Sequence, residues 1–484
     1  MSLARAAIRG AGASLVGQWG RFAIRIGSTM VLARLLTPDD FGLIGMVIAV
    51  TGFAEHIKSM GLSTVTIQRR TISQEQLSFL FWVNLALGLG VAVTVASAAP
   101  LITAFYSRPE LTPVTIALST SFVFGGLAAQ HLALLSRSMR FGSLAVLEVS
   151  VISLGTLAAI GAALLGAGYW SLVVLHISQA LFRAVIAVAM SRWRPSRPSV
   201  PEGAWEMLKF GANLSGFELL NYVARNADNV LIGRYLGAAP LGIYSKAYGL
   251  LLLPIQQIQG PAQRVAIPTL SRLQDAPERF RDYFLTGLRA VAFVTIPGLA
   301  LLAVSAEEIV LIVLGDQWTA AVPVFRTLAI AGLAQALLHS NGWMYVSLGR
   351  ARRQLAWSVI TAPIVVGAIA FGLRWGIEGV ATSYAVVIWV LFLPSFWFVT
   401  RGTTVSTKDV ISCGFKPAVF SSIGAVAALF VQAALPPATP HLVSGVIVGL
   451  TFGLGATLTV LVWPGARAQA RDLLALLRGS YRSA

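Results

Sequence analysis

The sequence predicts an all-α polytopic membrane protein of about fourteen transmembrane helices, with two homologous six-helix bundles and two further helices at the C-terminus. Three observations carry this expectation. Mean hydropathy is +0.76 and only 11% of residues are charged, less than half the share of about 25% found in soluble domains. About fourteen stretches reach the roughly 20 apolar residues that a helix needs to cross a bilayer. A polar pattern in the first of them returns about 200 residues later.

The N-terminal bundle, residues 1–191, holds six expected spans: Ala13 to Leu36, Phe41 to Met60, Phe79 to Thr103, Val114 to Leu135, Leu144 to Leu165 and Tyr169 to Met190. Residues 192–204, starting at Arg192 and rich in arginine and proline, read as a cytoplasmic linker. The C-terminal bundle, residues 205–400, carries spans at Leu208 to Leu236, Leu241 to Gln263, Phe284 to Val304, Val322 to Leu348, Leu355 to Leu373 and Val380 to Val399. Residues 401–465 add Ala418 to Leu435 and Leu442 to Trp463, which have no counterpart earlier in the chain. In the basic tail, residues 466–484, the run from Arg467 reads either as an amphipathic helix on anionic lipid or as a solvated end.

The loops fix the expected orientation. Basic residues concentrate in alternate connections: Arg69 with Arg70, Arg137 with Arg140, the cluster from Arg192 to Lys209, Arg272 to Arg281, Arg350 to Arg353, and Arg401 with Lys408. Arg5, Arg9 and the arginines of the tail belong to the same set. The intervening connections are neutral or acidic, as at Asp39, Glu307 and Asp316. By the positive-inside rule both termini are then cytoplasmic, which requires an even number of spans. The net charge of +17 is spread over these loops and forms no aromatic-interleaved patch, which argues against nucleic acid as a partner.

Arg21 and Arg25 lie inside the first span, where a cation costs roughly 2.5–3.5 kcal/mol unless it faces water or a partner. On a helix, Gln18, Arg21, Arg25, Ser28 and Thr29 share about one third of the circumference. The same register recurs as Glu218, Asn221, Arg225, Asp228 and Asn229, flanked by a matching Arg234, Leu236 and Gly242 for Arg34, Leu36 and Gly42. A shared stripe with a shared turn indicates an internal duplication. In the second stripe, Glu218, Arg225 and Asp228 can neutralise one another during packing. Arg21 and Arg25 have no acidic residue on their own helix, which favours a cavity facing them. Arg34 and Arg234, near helix ends, read as snorkelling anchors; Arg183, Lys246 and Arg289 are further cavity candidates.

Catalytic constellations are missing from the sequence: it contains no HisGluXXHis, CysXXCys, phosphate loop or nucleophile elbow. The five histidines are scattered, and the single Cys413 cannot form an intramolecular disulfide. The expectation is therefore a protein that is not an enzyme, with no metal and no cofactor. Pro254, Pro261 and Pro268 fall within one span and are expected to break it, and the glutamines between them make Pro254 and Pro261 a candidate hinge.

The run ArgLeuLeuThrProAspAspPheGly from Arg34, with GlyLeuSerThrValThrIleGlnArgArg from Gly61, resembles the opening of the bacterial polysaccharide-transporter family, which contains the lipopolysaccharide and exopolysaccharide flippases. AsnAlaAspAsnValLeuIleGlyArgTyrLeuGly from Asn226 and LeuGlyIleTyrSerLysAlaTyr from Leu241 resemble it too. The resemblance implies a multidrug-and-toxin-extrusion-like fold, two bundles around a central cavity, in the bacterial inner membrane. It implies translocation of an undecaprenyl-pyrophosphate-linked oligosaccharide, with membrane lipids and the polysaccharide polymerase and export machinery as partners. Arg21, Arg25 and Arg225, with Asn221, match the cavity positions for the pyrophosphate, and a planar guanidinium fork suits phosphate oxygens. Two other readings stay open: a cation-coupled small-molecule exporter on the same fold, with Glu218 and Asp228 binding the ion, and a lipid-modifying enzyme. The orientation is checked by reporter fusions, which should read cytoplasmic after Arg197 and after Tyr481 and external near Pro437; an external C-terminus overturns it.

Overall fold

The computed structural model describes the backbone of residues 3–59, 62–69 and 71–482, and the side chains of residues 18–52, 62–69, 71–209 and 226–473. All regular structure among these residues is helical. In hydrocarbon every backbone N–H and C=O must be bonded within the chain, and a helix does this without help from neighbours. Contacts divide the chain into two compact units, Met1–Gly242 and Ile243–Ala484.

The first unit contains α1 (Leu3–Leu35), α2 (Pro38–Ser59), α3 (Leu62–Gln68), α4 (Gln74–Tyr106), α5 (Leu111–Arg137), α6 (Phe141–Leu164), α7 (Trp170–Ser191) and α8 (Ala204–Tyr235), and the start of α9 (Ala238–Ser271). The second continues with α10 (Pro277–Val304), α11 (Ala306–Val313), α12 (Ala321–Leu338), α13 (Asn341–Ser347), α14 (Ala351–Gly372), α15 (Gly376–Thr400), α16 (Thr407–Ala434), α17 (His441–Val462) and α18 (Pro464–Arg482). Each expected span coincides with one of these helices, except that Val322 to Leu348 is built from α12 and α13. The short α3 and α11 are additions that hydropathy does not signal, because neither is long enough to register as a span. The tail takes the helical alternative, as α18.

Among the described residues, ten segments are long and apolar enough to cross a membrane, and one of them, Ala351–Thr400, holds both α14 and α15. The protein is a multi-span membrane protein. The helices α1, α2 and α8, of 33, 22 and 32 residues, are each long enough for a crossing and lie partly outside the described side chains.

Inside the first unit, packing relies on small residues that let backbones touch. A Cβ on Gly88 of α4 would stand 2.6 Å from the Phe122 carbonyl oxygen of α5, and one on Gly126 would stand 2.6 Å from that of Asn84. Around a Cβ at Gly90, by contrast, there is open space. The linker is pinned rather than loose. Gln74 Nε2 donates to the Arg194 carbonyl at 2.9 Å, Trp82 Nε1 to that of Ser196 at 2.9 Å, and Trp193 Nε1 to Gln74 Oε1 at 2.7 Å.

In the second unit, Arg281 of α10 grips Asp409 of α16 as a two-pronged fork, Nε to Oδ2 at 3.2 Å and Nη2 to Oδ1 at 2.8 Å. Asp409 also closes the capping box that starts α16, accepting from the Ser406 backbone while its own N–H donates to Ser406 Oγ. The helix α9 corrects one expectation. It runs unbroken through Pro254, Pro261 and Pro268. Each proline removes one intrahelical hydrogen bond, but neighbouring turns and lateral bonds, such as Gln259 Nε2 to the Ala336 carbonyl at 3.1 Å, carry the helix past them.

The two contact-defined units meet between Gly242 and Ile243, beyond the linker at 192–204. At the start of α2 and of α9 the two halves of the duplication touch reciprocally. A Cβ on Gly42 would overlap the Ala238 carbonyl, and a Cβ on Gly242 would overlap the Pro38 carbonyl. The same offset relates Gly42 to Gly242 and Pro38 to Ala238. Gly42→Ala and Gly242→Ala should therefore each destabilise the purified protein by about 1–3 kcal/mol, the usual cost of overpacking. Gly45→Ala, which would meet only the flexible end of Leu241 at 3.3 Å, should be mild. Thermal unfolding of the three variants in one detergent tests this; equal melting temperatures would remove the close-contact explanation.

Candidate functional site

The first helix sets out the site. Of its polar stripe, Ser28 accepts a hydrogen bond from Thr156 Oγ1 of α6 at 3.1 Å, and Gln18 is also engaged. The Thr156 bond links α1 to α6 along one edge. Arg21 is half-buried and opens into a cavity of about 380 Å³ between α1 and α6, lined by Phe141, Leu144, Ala145 and Glu148. Arg25, one turn further, is exposed. Neither arginine forms an ion pair with another described residue. The stripe is thus split between a packing edge and two available guanidinium groups.

The second stripe is described only in part. The side chains of Glu218, Asn221 and Arg225 lie outside the described residues, on backbone that continues as α8. Asp228 is buried at 7% exposure and accepts from the Asn229 N–H at 2.8 Å. At the ends of the two matching helices, Arg34 and Arg234 are both exposed. The Arg234 guanidinium lies 5.8 Å from the ring centroids of Phe105 and Tyr235, the cation–π placement of an interfacial anchor. Pro254 and Pro261 stay within continuous α9, both half-buried.

Two groupings were missed by sequence reasoning. Glu148 of α6 forms an ion pair with Arg183 of α7, Nη2 to Oε2 at 3.1 Å, with both side chains about a third exposed at 33% and 37%. The available signal was a lone glutamate inside an apolar span, together with the already suspect Arg183. In the second unit, Gln335 Nε2 of α12 donates to the hydroxyls of Tyr248 at 3.3 Å and Tyr384 at 3.2 Å. Tyr244 stacks on Tyr248, with centroids 6.2 Å apart. An amide between phenols within apolar helices is a polar cluster with aromatic faces, and its members are too far apart in sequence to be seen as a motif.

The described part of the site is thus a set of guanidinium groups, partly countered by one carboxylate, on a scaffold of helices.

Comparison with known proteins agrees with the fold. A family model described as "Polysaccharide biosynthesis protein" matches residues 31–323. The teichuronic acid biosynthesis protein TuaB of Bacillus subtilis is 28% identical over 81% of this chain and 82% of its own length. Among solved structures, the lipid II flippase MurJ in an inward closed conformation matches with a TM-score of 0.71 at 14% identity, covering 94% of this chain and 99% of that one. An inward-facing multidrug resistance transporter of the MATE family, in the MOP superfamily, matches with a TM-score of 0.62 at 15% identity, covering 81% and 96%. The two structures share the fold expected from the sequence.

Proposed function

Because the chain belongs to the polysaccharide biosynthesis protein family, we propose that it is a flippase, moving undecaprenyl-pyrophosphate-linked oligosaccharide repeat units across the bacterial inner membrane for cell-surface polysaccharide synthesis. The observation that carries this reading is the pair Arg21 and Arg25. Two cations stand on one face of a membrane-crossing helix, with no ion pair among the described residues, and a pyrophosphate is the dianion that would offset them. Arginine suits this role because its fork meets two phosphate oxygens at once. A teichuronic acid relative and a fold shared with a lipid II flippase support a lipid-linked substrate.

In this proposal Arg225, on the repeat equivalent of α1, joins Arg21 and Arg25 in holding the headgroup, with Asn221 beside it. Glu218 and Asp228 are the groups available for a coupling ion, and the polymerase and export machinery receive the product at the outer face. Both termini are cytoplasmic. A cation-coupled drug exporter would instead be organised around carboxylates, whereas the described part of the site has more guanidinium groups than carboxylates.

Deletion of the gene should cause lipid-linked oligosaccharide to accumulate. Arg25→Ala or Arg225→Ala, at matched expression, should lower polymer export about 10- to 100-fold, the loss expected for one charged hydrogen-bonding partner. Lysine at either position should rescue in part, and Arg34→Lys should be mild. Normal export in the double Arg25→Ala, Arg225→Ala variant overturns the clamp. The hinge is tested separately: Pro261→Ala should slow export with little loss of inserted protein, and wild-type transport in a Pro254→Ala, Pro261→Ala variant removes it.

A further inference from the structure

The pair of Glu148 and Arg183 is built differently from a packing salt bridge. Glu148 lies seven residues from the start of α6 and Arg183 eight from the end of α7, so at 1.5 Å per residue both sit about 10–12 Å along their helices. The loops at that end carry Arg137, Arg140 and Arg192, the side assigned above to the cytoplasm. Their contact is one-pronged: a single guanidinium nitrogen meets a single carboxylate oxygen. A guanidinium has five N–H donors, and the remaining donors of Arg183 meet no other acceptor among the described residues. Arg281 with Asp409, by contrast, uses two nitrogens on two oxygens.

Glu148 also lines the cavity into which Arg21 opens. One carboxylate therefore shares a cavity with Arg21 and an ion pair with Arg183, and these three groups together are cationic. The cavity, at about 380 Å³, falls within the range of about 300–1,000 Å³ typical of small-ligand sites. A carboxylate held by one hydrogen bond, in a site with surplus cations, is a ligand that a better anion can replace.

Resting on the flippase reading, we propose that Glu148 is a resident counter-ion occupying a loading site for the substrate's diphosphate on the first unit. In the empty carrier it satisfies Arg183 and keeps that charge from standing unpaired in the membrane. An arriving diphosphate offers oxygens to the unused edge of Arg183 and to Arg21, and displaces the carboxylate. Re-engagement of Arg183 by Glu148 then competes with the bound headgroup and helps expel it. Affinity and release are thereby traded against each other by one residue.

The test uses the full-length protein in nanodiscs, with farnesyl diphosphate as probe and farnesol as the uncharged control. Glu148→Gln removes the competing charge while keeping the shape, and should bind farnesyl diphosphate roughly tenfold more tightly, since one charge-assisted hydrogen bond no longer competes. Its export in cells should fall, because release slows. Adding Arg183→Gln to Glu148→Gln should abolish the gain. If Glu148→Gln does not insert, Glu148→Asp, which draws the carboxylate back by one methylene, should show a smaller gain of the same sign. Unchanged or weaker binding by the inserted variant overturns the proposal, as does a gain confined to inorganic pyrophosphate, which would assign a free-anion site. Loss of binding in Arg25→Ala alongside no gain in Glu148→Gln would leave the flippase reading standing and sink only this inference. No binding of farnesyl diphosphate by the wild type would sink both.

Discussion

A guanidinium at membrane depth must find water or an anion, and much of this molecule is arranged around that requirement. Arg21 and Arg25 interrupt the first helix at a position where leucine would be cheaper. Thr156 bonds to Ser28 and fastens α1 to α6, and tight glycine contacts hold α4 against α5. Glu148 bonds to Arg183 beside the cavity into which Arg21 opens.

The second unit solves a related problem at its added helices. Glu308 on α11 is buried at 3% exposure, and its Oε1 accepts from Gln432 Nε2 of α16 at 2.9 Å and from Ser444 Oγ of α17 at 2.8 Å. At the opposite end of α16, Arg281 holds Asp409. The helix α16 is thus tied at both ends by polar contacts, with apolar packing between them. Where lipid tails are as apolar as the side chains, hydrophobic burial gives little drive for helices to associate, and such polar ties supply direction.

The spans were legible because hydropathy is a local property, read from about 20 consecutive residues. The tail helix was legible in the same way, from local amphipathicity. Pairings between helices were not. Glu148 and Arg183 are far apart in sequence, and each alone resembles a stray charge in an apolar run. Pro254 and Pro261 mislead in the opposite direction. Proline breaks a helix in water because the freed carbonyls turn to solvent, whereas inside a packed membrane bundle the neighbouring turns hold and the helix continues. Of the proposed clamp, the sequence specified the chemistry of Arg21 and Arg25 and the repeat position of Arg225; what Arg21 faces, a cavity shared with Glu148, required α6 to be brought alongside.

The duplication is most exacting where no charge is involved. Gly42 meets Ala238 and Gly242 meets Pro38, so each contact maps onto the other when the repeat positions are exchanged. The polar stripes have diverged meanwhile: Gln18, Ser28 and Thr29 on one side correspond to Glu218, Asp228 and Asn229 on the other. The first stripe contains basic residues without acidic ones, and the second contains both. A steric contact tolerates no change because a single Cβ spoils it, whereas a binding surface must become asymmetric if one half is to hold an anion while the other supplies carboxylates. Geometry has therefore kept the symmetry that chemistry has given up.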